Sequence, residues 1–578
     1  MSSMRRDLPA LERTEFDLVV IGGGMFGAAA ALDAAQRGLT VALLDRADFA
    51  GATSAHSFKM IHGGIRYLQH ADVKRVRHSA RARATFLRLA PHLVHPLPIV
   101  VPTYGQGMKG KTVLRVGMGA YDLLTADRNR GIADPSRRIP NGRTVGRDEI
   151  LRRYPGLDPV GLTGAGVFCD GQMYNPPRLV LAFVQSAMAA GAVCANYVEV
   201  TGLIERSGQV QGVFARDVAS GDRLTIRSRF VLNAAGPYAE DLLTGSLGRG
   251  LTPPTPFSRD AYFIVRRPLI QGDEALTLPS VTTDPDAILS RGGRHLFMAP
   301  WHGATLVGVW HKVYQGDPDA YEVSEAELEV WTDEINQAYG GLDLTPDDVD
   351  LTSAGLIPFG ENDPDAAHLK FAHRSRLVDH AAERGLAGLL TLIGVRYTTG
   401  PVEAVEAVDL VCGRLKRTTA ASRLEVTPVH GGAIDDFEAL VREAAATAMD
   451  SVGPQSIRAL AHNHGTAVTE LLGMVSEQPQ LARPLGDSSV LAVEIAYAAQ
   501  HEMALTLADA VFRRTDLCTT GHPGTAALHA AAQVMAENSA WTEERRVAEL
   551  DDVRRRLRRA RGGRALLADP VAEHAAVA

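Results

Sequence analysis

The sequence predicts an α/β chain: a doubly wound parallel sheet, a β-rich cap and an all-α C-terminal domain. Three observations carry that prediction. An apolar run, Phe16 to Ile21, leads at once into Gly22-Gly23-Gly24-Met25-Phe26-Gly27 and then an alanine-rich stretch to Arg37. Short β-branched runs separated by Gly, Asp and Pro recur as far as about residue 412. Beyond Thr427 they give way to long Ala, Leu and Glu stretches, a composition that favours helices.

Length supports several domains. At roughly 100 to 200 residues each, the 578 residues, 46% of them hydrophobic, make about three to five folding units and exclude whole-chain disorder, collagen or coiled coil. Four cysteines, none in a CxxC, argue against a disulfide framework or a structural zinc and predict a reducing, cytoplasmic setting. There is no run of about 18 uncharged apolar residues, and the leader to Phe16 is charged. Neither a spanning helix nor a signal peptide is therefore expected. A formal net charge of -7 gives no general reason to expect nucleic acid.

Taken in order, Phe16 to Ile21 is a first strand, the glycines a tight turn, and the stretch to Arg37 a helix that Gly38 stops. Thr40 to Leu44 is a second buried strand closing on Asp45. This βαβ unit gives the GxGxxG spacing its meaning. Gly22 permits the turn, Gly24 lets a diphosphate approach the backbone, and Gly27 lets helix and strand pack closely. The helix N-terminus faces the anion, and Asp45 stands where a carboxylate accepts hydrogen bonds from an adenosine ribose. The spacing is that of a Rossmann-like dinucleotide site and by itself does not choose between NAD and FAD. The expected division is residues 16–255 and 353–412 for the dinucleotide domain, 256–352 for the cap and 427–561 for the helical domain. A tail follows from Gly562.

The continuation, Ala52-Thr53-Ser54-Ala55-His56-Ser57-Phe58-Lys59-Met60-Ile61-His62-Gly63-Gly64-Ile65-Arg66-Tyr67-Leu68, resembles a segment of FAD-dependent glycerol-3-phosphate dehydrogenases that runs approximately ATSxxSSKLIHGGLRYL. Asn233-Ala234-Ala235-Gly236-Pro237 is similar to the family's NATGPW, and His501-Glu502 and Phe512-Arg513-Arg514-Thr515 to its HEWA and WRRT. The likeness covers about residues 16 to 550. It implies FAD as cofactor, a polyol phosphate substrate oxidised at a secondary alcohol by hydride transfer to flavin N5, and a quinone acceptor. By position it implies cofactor contacts from Thr53, Ser54, His62, Gly63, Gly64, Ala235, Gly236, Gly394 and Thr398, and substrate contacts from Arg66 and Tyr67.

The chain departs from the family where substrate is expected. The family's GVRPL, with a phosphate-binding arginine, is here Gly355-Leu356-Ile357-Pro358-Phe359. Isoleucine cannot clamp an oxyanion, and Arg259 and Arg396 are the expected substitutes. The family's KGSHxVV, with a candidate base, is here Arg259-Asp260-Ala261-Tyr262-Phe263-Ile264-Val265, and its GTTD is Gly308-Val309-Trp310-His311. His311 and Tyr262 are the candidate proton acceptors, with His62 third and Arg66 beside them. Histidine as a residue type titrates near neutrality, whereas a tyrosine base needs a strongly lowered pKa. His56 also raises covalent attachment of the flavin, against a plain loop histidine.

Met108 to Tyr121 mixes cations with apolar residues at a position that the family uses at the bilayer surface, which implies peripheral membrane contact. The arginines of Arg554 to Arg564 are expected to be a solvated helix face. Two rival readings stay open: amine or hydroxy-acid oxidation on the same scaffold, and a flavin-binding protein without turnover.

Overall fold

The computed structural model describes residues 3–105, 111–248, 250–251, 257–283, 293–358 and 375–564. The glycine motif lies where a six-stranded sheet begins its crossover. In spatial order that sheet runs Arg376–Asp379, Leu389–Ile393, Val231–Asn233, Leu18–Ile21, Val41–Leu44, Val193–Ala195. All neighbours are parallel except the first pair.

Leu18–Ile21 and Val41–Leu44 are apolar and buried on both faces, as a sheet covered on both sides requires. Leu18, Val20, Val41 and Leu43 point into one core, with the helices Met25–Gln36, Pro176–Ala189 and Gly400–Leu415. Val19, Ile21, Ala42 and Leu44 point into another. That second face is covered by a four-stranded sheet built from Glu15–Phe16, Arg223–Ser228, Gln209–Asp217 and Val198–Arg206, where a doubly wound fold would place helices. The architecture is therefore helix, parallel sheet and β-meander.

A nine-stranded sheet forms the roof of the site. Its order is Leu351–Pro358, Phe257–Val265, Ala304–Tyr314, Gly293–Trp301, Ala275–Thr283, Val94–Tyr104, Leu162–Met173, Met60–Ile61, with Arg143–Gly146 paired to Leu162–Met173. Val94–Tyr104 and Leu162–Met173 are thus continuous with the strands expected for the cap, although the sequence grouped them with the dinucleotide unit. The join is a short parallel pairing of Ala275 and Leu276 with Ile99 and Val100.

Helices from Phe437–Thr447 to Glu543–Ala560 enclose a separate core. Arg554, Arg555 and Arg556 pair with Asp551 and Asp552 on that last helix, as a solvated face would, whereas Arg561 is buried and donates to the Val349 carbonyl at 3.3 Å, so the solvated stretch does not run to Arg564 as expected. The four cysteines are free and buried. Among the described residues no helix is long and apolar enough to cross a membrane. Of the basic apolar segment, Met108, Lys109 and Gly110 lie outside the described residues, and the helix Lys111–Leu124 lies within them.

Candidate functional site

The turn after the first strand has the geometry its glycines predict. Gly22 adopts φ +101°, and a Cβ there would stand 2.6 Å from the Ala234 carbonyl oxygen. A Cβ on Gly27 would stand 1.9 Å from the Gly22 carbonyl oxygen, so Gly27 serves helix packing and does not line the cavity. At Gly24 only Ser54 Oγ is near, at 3.0 Å, which leaves the backbone open. The helix N-terminus behind it offers amides and a positive dipole end to an anion.

Asp45 closes the second strand. Its carboxylate accepts from the Gly23 amide at 2.7 Å and the Ala47 amide at 2.9 Å. Burial outweighs these two bonds and pushes the carboxyl up to about 6.

Gly22, Gly24 and Asp45 open into a cavity of about 1430 Å³ that continues beneath the nine-stranded sheet. Small-molecule pockets commonly measure about 300 to 1,000 Å³, so this one admits a large ligand and a second molecule beside it. Of the residues expected to contact cofactor, Thr53, Ser54, His62, Gly64, Ala235, Gly236, Gly394 and Thr398 line it. Thr53 Oγ1 donates to the Leu356 carbonyl at 3.0 Å, and Ser54 Oγ accepts from the Met25 amide at 3.0 Å. The His62 amide donates to Thr398 Oγ1 at 3.1 Å. An open diphosphate-sized cradle, a carboxylate at the ribose position and a long cavity fit a dinucleotide bearing a second ring system.

Gly63 is a correction. It does not line the cavity; a Cβ there would meet Arg83 Nη1 at 2.1 Å and the Tyr121 hydroxyl at 2.4 Å. Its amide donates to Asp170, which also binds buried Arg83 at 2.7 Å. His62 Nδ1 lies 3.6 Å from the same carboxylate.

The roof carries the polar chemistry. His311 and Asp260 sit opposite each other on adjacent antiparallel strands, with Nδ1 2.8 Å from Oδ1, and both line the cavity. Ser258 Oγ donates to the same Asp260 oxygen at 2.6 Å. Tyr262 also lines the cavity but is a poor base. Burial raises its hydroxyl well above the ordinary tyrosine range, and its ring packs edge-on against Phe58 at 5.2 Å.

Arginines gather on the floor. Arg66, Arg75, Arg396 and Tyr67 line the cavity. The Tyr67 ring takes the Arg75 guanidinium at 4.6 Å and that of Arg396 at 5.4 Å, and Arg396 donates to the Tyr67 hydroxyl at 3.0 Å. Guanidinium forks are suited to phosphate or carboxylate. Arg259 is the second correction. It is buried outside the cavity, where it binds Glu327 and the Glu322 carbonyl, and it holds the Glu327 carboxyl at about 2 against the effect of burial. Ile357 lines the cavity and offers no charge.

His56 lines the cavity, with Nδ1 2.9 Å from Ser353 Oγ; burial, then Lys59, lower it to about 4. Sequence reasoning missed Asp260, Arg75 and a group formed by Arg46, Tyr238 and Asp319. Arg46 stacks 3.8 Å above the Tyr238 ring and pairs with Asp319 at 2.6 Å, all three at the cavity wall. No local spacing marks these three, which meet from distant segments.

The family model described as FAD dependent oxidoreductase matches residues 17–401, and that described as the C-terminal domain of alpha-glycerophosphate oxidase matches residues 423–546. Glycerol-3-phosphate dehydrogenase of Synechocystis sp. is 31% identical over 548 residues, covering 93% of this chain and 96% of that protein. Alpha-glycerophosphate oxidase of Streptococcus pyogenes is 27% identical, covering 95% and 96%. Among solved structures, glycerol-3-phosphate dehydrogenase from Bacillus halodurans complexed with FAD superposes with a TM-score of 0.72. It covers 97% of this chain and 98% of its own at 24% identity, a likeness of fold.

Proposed function

This chain belongs to the FAD-dependent oxidoreductase family, and on that premise we propose that it oxidises the secondary alcohol of glycerol 3-phosphate or a related polyol phosphate. The observation that carries this reading is a single cavity holding the open glycine turn, the Asp260 and His311 pair, and the Arg66, Arg75 and Arg396 group. Its relatives carry the names glycerol-3-phosphate dehydrogenase and alpha-glycerophosphate oxidase.

Gly22, Gly24, Asp45, Thr53 and Ser54 would hold the dinucleotide, and Gly394 and Thr398, which line the same cavity, would contact the cofactor as well. When bound, FAD supplies the two-electron acceptor that takes the hydride from the carbinol carbon. The chain's own residues then have three tasks. Arg66 and Arg396, with Tyr67 between Arg396 and Arg75, bind and orient the phosphate, replacing the arginine absent at 357. His311 accepts the hydroxyl proton: Nδ1 lies against Asp260, which leaves Nε2 as the acceptor nitrogen. The apolar roof residues Ile99, Phe168 and Phe297 exclude water.

The helix Lys111–Leu124 exposes Val113, Val116 and Leu123 beside Arg115. This amphipathic face suits peripheral contact with an anionic bilayer, where a quinone acceptor would be met. The division into a dinucleotide unit, a cap and a helical unit is retained in this reading, with residues 94–173 assigned to the cap sheet.

Anaerobic mixing of the oxidised flavoprotein with glycerol 3-phosphate tests the activity. Bleaching of the flavin is expected, with glycerol itself inert. An unbleached flavin with glycerol 3-phosphate and with a panel of polyol phosphates would overturn it. Bleaching by an amino acid or hydroxy acid alone would establish the rival chemistry.

A further inference from the structure

We infer that the C-terminal helical region is a working part of the cofactor site, holding the nucleotide loop in place by gripping the buried carboxylate of Asp48 with Arg513 and Arg514. The inference rests on the FAD reading above and adds positioning residues that touch no cofactor atom.

Asp48 lies in the turn that leaves the second strand of the glycine motif. Residues on both sides of it, Asp45 to Ala47 and Gly51 to Ser54, line the cavity. The turn is also tied to the glycine motif itself. The Ala50 amide donates to the Gly23 carbonyl at 3.0 Å, and a Cβ on Gly23 would stand 2.4 Å from the Phe49 ring. A displacement of Asp48 therefore moves the ribose carboxylate, the turn and the Thr53 and Ser54 contacts together.

What fixes Asp48 comes from the other end of the chain. Arg514 donates through Nη1 and Nη2 to the two carboxylate oxygens, each at 2.7 Å. Arg513 Nε donates to Oδ2 at 2.6 Å, and Asn196 Nδ2 to Oδ1 at 2.9 Å. Arg513 is itself aimed by Asp509, and Arg514 Nε by the Glu502 carbonyl at 3.1 Å. Burial alone would push the Asp48 carboxyl up, but the two arginines hold it at about 2.

A buried ion pair is weak evidence of stabilisation in itself, because desolvation offsets much of the attraction. Its value lies in geometry: a bidentate guanidinium admits one orientation of the carboxylate. A second link reaches the same loop. Arg559 donates to the Asp319 and Tyr321 carbonyls at 2.9 and 3.2 Å, and the Asp319 side chain takes Arg46. The helical region thus holds residue 48 directly and residue 46 through the cap segment.

The test uses full-length apoprotein of wild type, Asp48→Asn, Arg514→Lys and Arg513→Gln. Dissociation constants for FAD are read by flavin fluorescence and for ADP by calorimetry, beside the melting temperature of each apoprotein. Weakening of both FAD and ADP binding by at least tenfold in Asp48→Asn and Arg514→Lys is expected. A merely structural pair would lower the melting temperature and leave both constants at the wild-type value. Constants within twofold of wild type in the folded variants would overturn the inference. Where Asp48→Asn does not fold, Arg513→Gln, whose side chain is 11% exposed, gives the same reading. Wild-type apoprotein that takes up no FAD would remove the functional reading as well, which separates the two failures.

Discussion

Asp260 and His311 face each other across two antiparallel strands, His311 Nδ1 2.8 Å from Asp260 Oδ1, on the roof of the cavity that the glycine turn opens into. A carboxylate beside one imidazole nitrogen fixes the ring's orientation and leaves the other nitrogen for a proton. On the proposed function this pair handles the hydroxyl proton, and three substitutions test that assignment.

Replacing His311 by Phe should slow flavin reduction by about 10²- to 10⁴-fold, the range for loss of a general base. Asp260→Asn should slow it less, with FAD content unchanged in both. Tyr262→Phe should reduce at the wild-type rate. Stopped-flow absorbance under anaerobic conditions checks all three.

Arg66→Ala and Arg396→Ala should each lower kcat/KM for a phosphate substrate by about 10- to 100-fold, from hydrogen bonds to charge of about 1.5 to 3 kcal/mol. Arg259→Ala should leave KM alone and destabilise the fold, since it removes the partner of Glu327. Steady-state kinetics and urea unfolding distinguish the two outcomes.

Asp45 titrates at about 6 in the folded protein, above its ordinary 3.8. The folded apoprotein thus binds more protons than the unfolded chain between these values. This stabilising contribution is present below about pH 4 and is lost as pH rises through 6. Between pH 4 and 7, Asp45→Asn apoprotein should gain on wild type by up to about 3 kcal/mol, at 1.36 kcal/mol per pKa unit. Unfolding curves across that range measure it; parallel curves would remove the assigned environment.

Val116 and Leu123 are exposed on the helix Lys111–Leu124. Val116→Asp with Leu123→Asp should abolish co-flotation with anionic vesicles while leaving flavin reduction by substrate unchanged. Equal flotation of the double variant and wild type would show that this face does not meet lipid.

The glycine turn was legible because its determinants are local: Gly22, Gly24, Gly27 and Asp45 fall within one βαβ unit, and their spacing sets the turn's geometry. The substrate half depends on strand parity and register. Along Phe257–Val265, Asp260 and Tyr262 face the cavity while Arg259 turns to Glu327 on the opposite side. A one-residue difference therefore separates a site residue from a structural ion pair. The Asp260 partnership with His311 could not be read without the register of two strands about fifty positions apart. The two strands from 94–104 and 162–173 were likewise assigned away from the cap, because the parallel pairing of Ala275 and Leu276 with Ile99 and Val100 joins segments far apart in the chain. Gly63 looked like a cofactor glycine within a family motif, but the space its missing side chain leaves is filled by Arg83 and Tyr121.

The open backbone at Gly24 is the expected seat of the FAD diphosphate. A Cβ at this position meets only Ser54 Oγ at 3.0 Å, so a larger side chain projects into the cradle and spares the fold. Equilibrium titration of apoprotein with FAD should give one FAD per chain for wild type and none for folded Gly24→Val. Uptake by Gly24→Val with wild-type affinity would contradict the account.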